Sequence, residues 1–532
     1  MKNFERLGAM IDCSRNGVPK VETLKRLIAY LKKMGYDYLL MYMEDVYELE
    51  DEPYFGCYRG RYSIKELQEI DAFGMQSGVE IIPCIQTLAH LSTIFKWEQY
   101  LPIHDCNGIL LIDEEKTYAL IEKMLAALRK GFTTKNIHIG LDEAFMVGLG
   151  RYRTIHGIPE RFDLLLKHLN RVNDLAKKYD FTCMTWSDMF IHLLDKQENG
   201  AVEKVYDIIP KDVALVFWDY YITNPQVFEE ALAKHKTFSN EIYFAGGAIC
   251  WTGFAPANEY SISASKVALQ SCMKHGVKNA CVCLWGDSGR ECSVFAVLPA
   301  LYAFAQYADG NFDTDIIKKG FEKSFSISFD DFLSLDLPNK PSDKPALFNN
   351  PSKYFFYNDM FLGLTDCYAY EGIGKRYSEY ADRLKPLCKH QEFGDLFECM
   401  EALLRVLAVK TELGVTTRRL YQAGDKKGLR ELAEKEYGQL LCNVENFYNA
   451  FRKVWVKDNK PFGFEVQDVR IGGLLMRIRH CKERLLQYVN GEINSIPELD
   501  EIIVDYLKGV KDIQEDQTQI SAWDKIITRG VI

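Results

Sequence analysis

Basic residues are in deficit in this chain: 65 Lys and Arg against 75 Asp and Glu leave a formal net charge of −10 over 532 residues. That sign argues against a nucleic-acid partner, because phosphate binding needs concentrated Lys and Arg. No apolar run reaches the roughly 20 residues that cross a bilayer, so no membrane role is expected. The start, Met1-Lys-Asn-Phe-Glu-Arg6, lacks the continuous apolar stretch of a secretory signal. The ten histidines include no HxH or HExxH grouping, so neither a metal nor a cofactor is expected. The fifteen cysteines form no close-set CxxC pair. Cys281 and Cys283 make a CxC within an apolar strand, where both face one side and pack. An odd number of scattered cysteines reads as reduced thiols and a cytoplasmic setting. Low-complexity tracts and solenoid repeats are missing as well. What is present is 47% hydrophobic and 26% charged residues, ordinary for a soluble globular protein, on a chain too long for one ordinary domain.

From Leu7 to about Gln306 one unit recurs: a short apolar run, a polar loop, then a helical pattern. The expected strands are Leu7–Asp12, Tyr38–Met43, Glu80–Ile85, Ile137–Gly140, Phe181–Trp186, Ala214–Trp218, Ile242–Ala245 and Ala280–Trp285. Between them lie segments such as Val21–Lys33, with Leu24, Leu27, Ile28 and Leu31 on one helical face. Glycines in Met34-Gly-Tyr-Asp37 and Lys274-His-Gly-Val-Lys278 stand where a helix should stop. Eight such repeats predict a (β/α)₈ barrel over residues 1–310. The competing doubly wound sheet would place a Gly-rich phosphate loop after the first strand, and there is none. Residues 311–354 read as an irregular connection, with breakers at Leu337-Pro-Asn-Lys-Pro-Ser-Asp-Lys-Pro345. Residues 355–532 read as an all-α domain, with helical spacing over Leu396–Leu413, Lys427–Asn449 and Val469–Tyr488. Gly472 and Gly473 inside that last pattern predict a close backbone approach.

In a barrel the strand C-termini carry the chemistry. The fourth strand ends in Asn136-Ile-His-Ile-Gly-Leu-Asp142-Glu143. Two adjacent carboxylates cannot both ionise freely, so one pKa should rise and that acid should stay protonated, the pairing glycosidic cleavage requires. The bland alternative is an N-cap Asp and a first-turn Glu of the next helix. The other strand ends supply Asp12-Cys-Ser-Arg15, Glu44-Asp45, Gln86 to His90, Trp186-Ser-Asp188, Trp218-Asp-Tyr220-Tyr221, Trp251 and Trp285-Gly-Asp287. Four of the seven tryptophans thus fall at or just past strand ends, where barrel filling would favour branched aliphatics. Indole rings suit the apolar face of a pyranose, and Asp, Glu, Arg and His suit its hydroxyl rim. Bland readings stand beside these: Arg15 pairs with Asp45 at the rim, Trp218 packs between helices, and Asp188 and Glu291 are structural.

Asp12-Cys-Ser-Arg15, His90, His138-Ile-Gly-Leu-Asp142-Glu143, Trp186 and Trp285-Gly-Asp287 together resemble the family 20 glycoside hydrolases, the β-N-acetylhexosaminidases. The helical C-terminal part adds a likeness to bacterial exo-hexosaminidases whose barrel carries a helical appendage. Two departures stand out. Leu141 replaces the second glycine of His-x-Gly-Gly-Asp-Glu, and Asp287 replaces the Glu of the last-strand Trp-x-Glu. Most relatives also carry an α/β domain ahead of the barrel, expected here to be lost or removed.

The resemblance implies an exo-acting enzyme that removes terminal β-GlcNAc or β-GalNAc with the substrate's 2-acetamido oxygen as nucleophile. Glu143 would be the acid/base and Asp142 would orient the acetamido group. Tyr220 or Tyr221 would hydrogen-bond the attacking oxygen. Trp186, Trp218 and Trp285 would wall the sugar, and Arg15 and Asp287 would hold O3 and O4. His90 would lie near O3, Asp45 and Glu44 would be further hydroxyl ligands, and Trp251 would stack on the leaving sugar. His138 reads as supporting these ligands, and Arg470 as a packing residue unless it reaches a site in its own or a partner subunit, a homodimer being compatible. The alternatives are a barrel glycosidase with its own carboxylate nucleophile and an inactive sugar-binding barrel.

Overall fold

The structure, a computed structural model, describes residues 3–195, 208–344, 349–504, 522–528 and 530–532. Its strands are β1 (Arg6–Asp12), β2 (Tyr38–Met43), β3 (Glu80–Ile85), β4 (Asn136–His138), β5 (Thr182–Trp186), β6 (Ala214–Trp218), β7 (Ile242–Gly247) and β8 (Asn279–Leu284). They pair in parallel in chain order and close into a barrel. Every expected strand is there, with bounds shifted by one or two residues at most. β2 and β8 are buried along their whole length, as strands covered by helices on one side and barrel filling on the other must be. The filling has one tight point. A Cβ at Gly8 would lie 2.1 Å from the Tyr38 ring, so only glycine there admits that tyrosine from the neighbouring strand.

The covering helices form where the apolar spacing predicts. Helix Val21–Met34 buries Leu24, Leu27, Ile28 and Leu31 and ends at Gly35 in the left-handed conformation, φ 93°. Helix Ile64–Ser77 opens on a reciprocal Ser63–Glu66 capping box, which satisfies two of its otherwise unpaired N–H groups.

The chain divides into two compact units: residues 1–248, 261–285 and 300–317 form the first, and residues 249–260, 286–299 and 318–532 the second. The stretches that follow β7 and β8 therefore belong to the second unit, a division the strand count does not reveal. Trp251 and Asp287 go with it.

The second unit is helical, with long helices Gly394–Gln422, Glu436–Asp458 and Glu465–Asn490. The expected Lys427–Asn449 helix is two, Lys426–Glu434 and Glu436–Asp458, parted at Lys435. Residues 311–354 are less irregular than their breakers suggest: Thr314–Phe325 and Phe329–Leu333 are α-helices, and a 3₁₀ turn, Ser334–Asn339, accommodates Pro338. Among the described residues the Gly472-Gly473 pair makes no close backbone approach, since a Cβ at either position would meet none of them within 4 Å. Arg470 pairs with buried Glu291 at 3.0 Å, and Lys353 holds the same carboxylate at 2.7 Å. Glu291 is thus a structural anchor of this unit.

Candidate active site

β4 stops two residues short of its expected end because Gly140 leaves the extended region at φ 79°. Glycine is required there: a Cβ would lie 2.2 Å from Gln86 Oε1 and 2.8 Å from the Ile85 carbonyl oxygen. Leu141 follows at φ 77° and Glu143 at φ 52°. A non-glycine residue in this region costs roughly 1–2 kcal/mol, so the turn is strained at both positions. The Leu141 side chain is fully buried, and that burial holds it there. No helix begins at Asp142-Glu143; the next one, Arg151–His156, starts eight residues later. The capping alternative therefore does not apply, and both carboxylates stand on a turn at the barrel mouth.

Asp142 is buried and well held. Gln86 Nε2, at the end of β3, donates to Asp142 Oδ1 at 2.7 Å and also to the Tyr42 hydroxyl at 3.0 Å. His90 Nε2 lies 3.1 Å from Asp142 Oδ2 and 3.6 Å from Glu143 Oε2. Burial opposes charge on the imidazole, but the Asp142 carboxylate outweighs it and lifts His90 to about 9, so His90 is a cation at neutral pH. Burial likewise works against the Asp142 carboxylate, and His90 and Gln86 outweigh it, holding Asp142 below its ordinary value. Asp142 is therefore ionised.

A raised carboxyl beside this turn is Asp188, which opens the helix Asp188–Asp195 after β5. Burial first, and the Asp142 charge second, push it up to about 7. Asp188 Oδ2 accepts the Glu143 backbone N–H at 3.1 Å, and the nearby Trp218 indole favours its charged form. Glu143 itself is open, with its side chain 46% exposed.

Aromatic rings line the cavity side of β5, β6 and β8. Trp186 and Trp285 lie 6.2 Å apart between ring centres, and Tyr220 stacks on Trp218 at 5.3 Å. Trp285 Nε1 donates to the Tyr220 hydroxyl at 2.9 Å, which fixes the indole. Tyr221 meets Tyr220 edge-on and is only partly buried. Trp186 Nε1 is buried with no partner among the described residues. Behind it His138 packs at 4.4 Å, accepts the Gly140 N–H on Nδ1, and is pushed down to about 3 by burial, so it is neutral.

Arg15 does not pair with Asp45. Its guanidinium meets Asp12 at 3.2 Å and Glu44 at 3.4 Å and lies over the Tyr42 and Trp285 rings, 4.7 and 5.0 Å from their centres. Asp45 is taken up by Arg59 at 2.8 Å. Burial pushes Glu44 up although Arg15 opposes it.

The structure thus brings together Arg15, Glu44, His90, Asp142, Glu143, Trp186, Trp218, Tyr220 and Trp285 in the first unit. Trp251, buried, and Asp287, at the start of the short segment Asp287–Arg290, lie in the second. Three participants were not singled out from sequence: Gln86, Arg59 and, beyond a structural reading, Asp188. A polar side chain directly at a strand terminus was the available signal for Gln86. Nothing in the sequence marked Arg59, which sits deep in a loop. Among the described residues no group of three or more His, Cys, Asp or Glu could hold a metal ion, and no helix is long and apolar enough to cross a membrane.

Residues 4–245 match the family model described as glycosyl hydrolase family 20, catalytic domain, and residues 330–518 match the Glycoside Hydrolase 20C C-terminal domain. The catalytic match stops before β8, so Trp251, Trp285 and Asp287 lie outside it. Human Hexosaminidase D is 25% identical over 211 residues, 38% of this chain and 42% of that protein. Hexosaminidase D of Bos taurus is 25% identical over 213 residues, 38% of this chain and 59% of that one. The chain spans about half the length of these curated relatives. Among solved structures, the exo β-N-acetylglucosaminidase of Vibrio harveyi superposes with a TM-score of 0.47 at 16% identity, over 63% of this chain and 58% of its own. The chitobiase of Flavobacterium johnsoniae gives 0.46 at 14% identity, over 85% and 78%. With its barrel and its helical part each matched by a model of the same family, the chain belongs to glycosyl hydrolase family 20.

Proposed function

We propose that this chain is an exo-acting β-N-acetylhexosaminidase that removes terminal non-reducing β-GlcNAc or β-GalNAc by substrate-assisted, retaining hydrolysis. One observation carries the reading: His90 Nε2 sits between Asp142 and Glu143, 3.1 Å from one and 3.6 Å from the other. An enzyme that used both carboxyls directly on the sugar would need them on opposite faces, about 5–5.5 Å apart with the ring between. Here a cationic imidazole contacts both carboxyl groups, which supports a charge-holding role for Asp142 rather than attack on C1. In this reading the nucleophile is the substrate's own 2-acetamido oxygen.

In the forward step that oxygen bonds to C1 as the glycosidic C1–O bond breaks, and Glu143 passes its proton to the departing oxygen. Asp142, ionised and fixed by Gln86 and His90, accepts the acetamido N–H and balances the positive charge of the oxazolinium ring. Water then adds to C1, Glu143 takes its proton back, and the amide is restored with retained configuration. Tyr220, held by the Trp285 indole and beside the Cys283 thiol, would hydrogen-bond the attacking acetamido oxygen. Trp186 and Trp285 would wall the acetamide methyl, and Arg15 the O3/O4 edge. A cytoplasmic setting belongs to the same reading, on the strength of fifteen free thiols.

The test is a screen on nitrophenyl β-GlcNAc, β-GalNAc, β-glucose and β-galactose. Hydrolysis confined to the acetamido sugars is expected. A β-glucoside cleaved at a comparable rate would overturn the substrate-assisted route.

A further inference from the structure

Asp188 lies outside the roles assigned above, yet it makes a long-range hydrogen bond to the backbone N–H of the acid/base residue. Its Oδ2 accepts the Glu143 N–H at 3.1 Å across 45 residues of sequence, although Asp188 opens a helix whose own N–H groups need acceptors. Glu143 is in the left-handed region, φ 52°, a conformation that this turn must be made to keep. The second oxygen, Oδ1, is shut off from solvent and has no partner among the described residues. A side chain committed to capping its own helix would show neither feature.

We propose that Asp188 is a positioning residue for Glu143: its carboxyl grips the Glu143 N–H and so holds the acid in the turn that presents it to the glycosidic oxygen. The grip tightens when Asp188 ionises, because a charged acceptor makes the stronger hydrogen bond. The groups that face it are the Asp142 and Glu143 carboxyls from the β4 turn and the Trp218 indole from β6. His192 stands one turn along its own helix, against Phe145 at 4.9 Å. Asp142, held ionised by His90, opposes a second charge here, whereas the Trp218 indole favours it. With burial, this balance puts Asp188 at about 7, so the grip varies across the neutral range. The inference rests on Glu143 being the acid of the proposed hydrolysis.

The first measurement needs no substrate. In the full chain, the Glu143 amide resonance is followed against pH. It should titrate with a midpoint near 7 in the wild type, lose that step in Asp188→Asn, and shift its midpoint upward in Trp218→Phe, which removes a donor to the charged form. A wild-type amide that ignores this range, or one whose step survives Asp188→Asn, overturns the proposal. Trp218→Phe alone decides it should the Asn variant not fold: an unmoved midpoint counts against it. The second measurement compares leaving groups. Asp188→Asn should lower kcat on a GlcNAc disaccharide about tenfold or more, and leave the 2,4-dinitrophenyl glycoside, which needs little protonation, within about threefold. Equal losses on both would mean a general structural role. If the wild type hydrolyses neither substrate while the amide still titrates, the hydrolase reading has failed and the positioning contact has not.

Discussion

The two sides of the Asp142-Glu143 turn differ in kind. On the β3 side, Gln86 and a cationic His90 supply donors, and the aspartate they hold is pulled below its ordinary pKa. On the β5–β6 side, Asp188 has one backbone N–H, an indole and an anionic neighbour, and it is pushed up to about 7. Two sheltered aspartates close to one glutamate are thus shifted in opposite directions. Burial raises both, so what separates them is whether a cation is within reach. One side is built to keep a charge and the other lets it vary with pH, and in the proposed hydrolysis only the first suits the group that balances an oxazolinium.

Removing the residue both sides serve should have the largest effect. Glu143→Gln should cost about 10²–10⁴-fold in kcat on a natural disaccharide while sugar binding persists. Near-normal turnover would mean that the acid is elsewhere and that the contrast between the two sides is incidental. Asp142→Asn removes the charge that the β3 side maintains. Turnover should fall about 10²–10³-fold, and an oxazoline-like inhibitor should bind more weakly, whereas a product sugar should bind nearly as before. Equal weakening of both ligands would assign Asp142 to ground-state binding only.

His90→Gln tests the cation itself. His90 is the strongest influence holding Asp142 down, so its loss should raise the pKa of Asp142. The acid limb of the kcat/KM profile should then move to higher pH, with about a tenfold loss below neutrality. An unmoved limb would show that Gln86 alone keeps Asp142 charged.

How far this contrast was legible in the sequence follows from its parts. The barrel was readable because each strand is a short apolar run and glycines such as Gly35 stop the helices between them. The strand-end positions of Arg15, His90, Asp142, Glu143, Trp186, Trp218 and Trp285 followed from that frame. Their partners did not. Arg15 meets Glu44 while Asp45 turns to Arg59, a choice between adjacent carboxylates that only the folded loop makes. Gln86 reaches Asp142 over 56 residues and Asp188 reaches Glu143 over 45, and local pattern carries no information at that range. Nor does the strand count show that Trp251 and Asp287 pack with the second unit, since that depends on which surface covers their loops.

Leu141 separates strain from burial within the turn both sides share. A glycine at 141 would relieve roughly 1–2 kcal/mol of left-handed strain. Emptying a fully buried leucine site costs about 2–5 kcal/mol even when the replacement is alanine. Leu141→Gly should therefore lower stability, by up to about 4 kcal/mol in denaturant unfolding, the difference of the two. A stabilised variant would show that the turn is held by its hydrogen bonds alone.

The smallest effect expected is the pH dependence of stability. His90 is at about 9 in the folded chain against 6.5 for the free side chain, so folding favours its proton. That stabilisation is complete below pH 6.5 and is lost as the pH climbs through 9. Asp188, raised from 3.8 to about 7, also loses stabilisation with rising pH, but in the earlier window between those values. Above pH 7, then, His90 is the member of the acid cluster still releasing a proton. The unfolding temperature of the wild type should fall between pH 7 and 9.5 more steeply than that of His90→Gln, which has no imidazolium to lose over that range. Parallel curves throughout would mean that His90 is not protonated between the two carboxylates, and the β3 side would then be no more cationic than the side it faces.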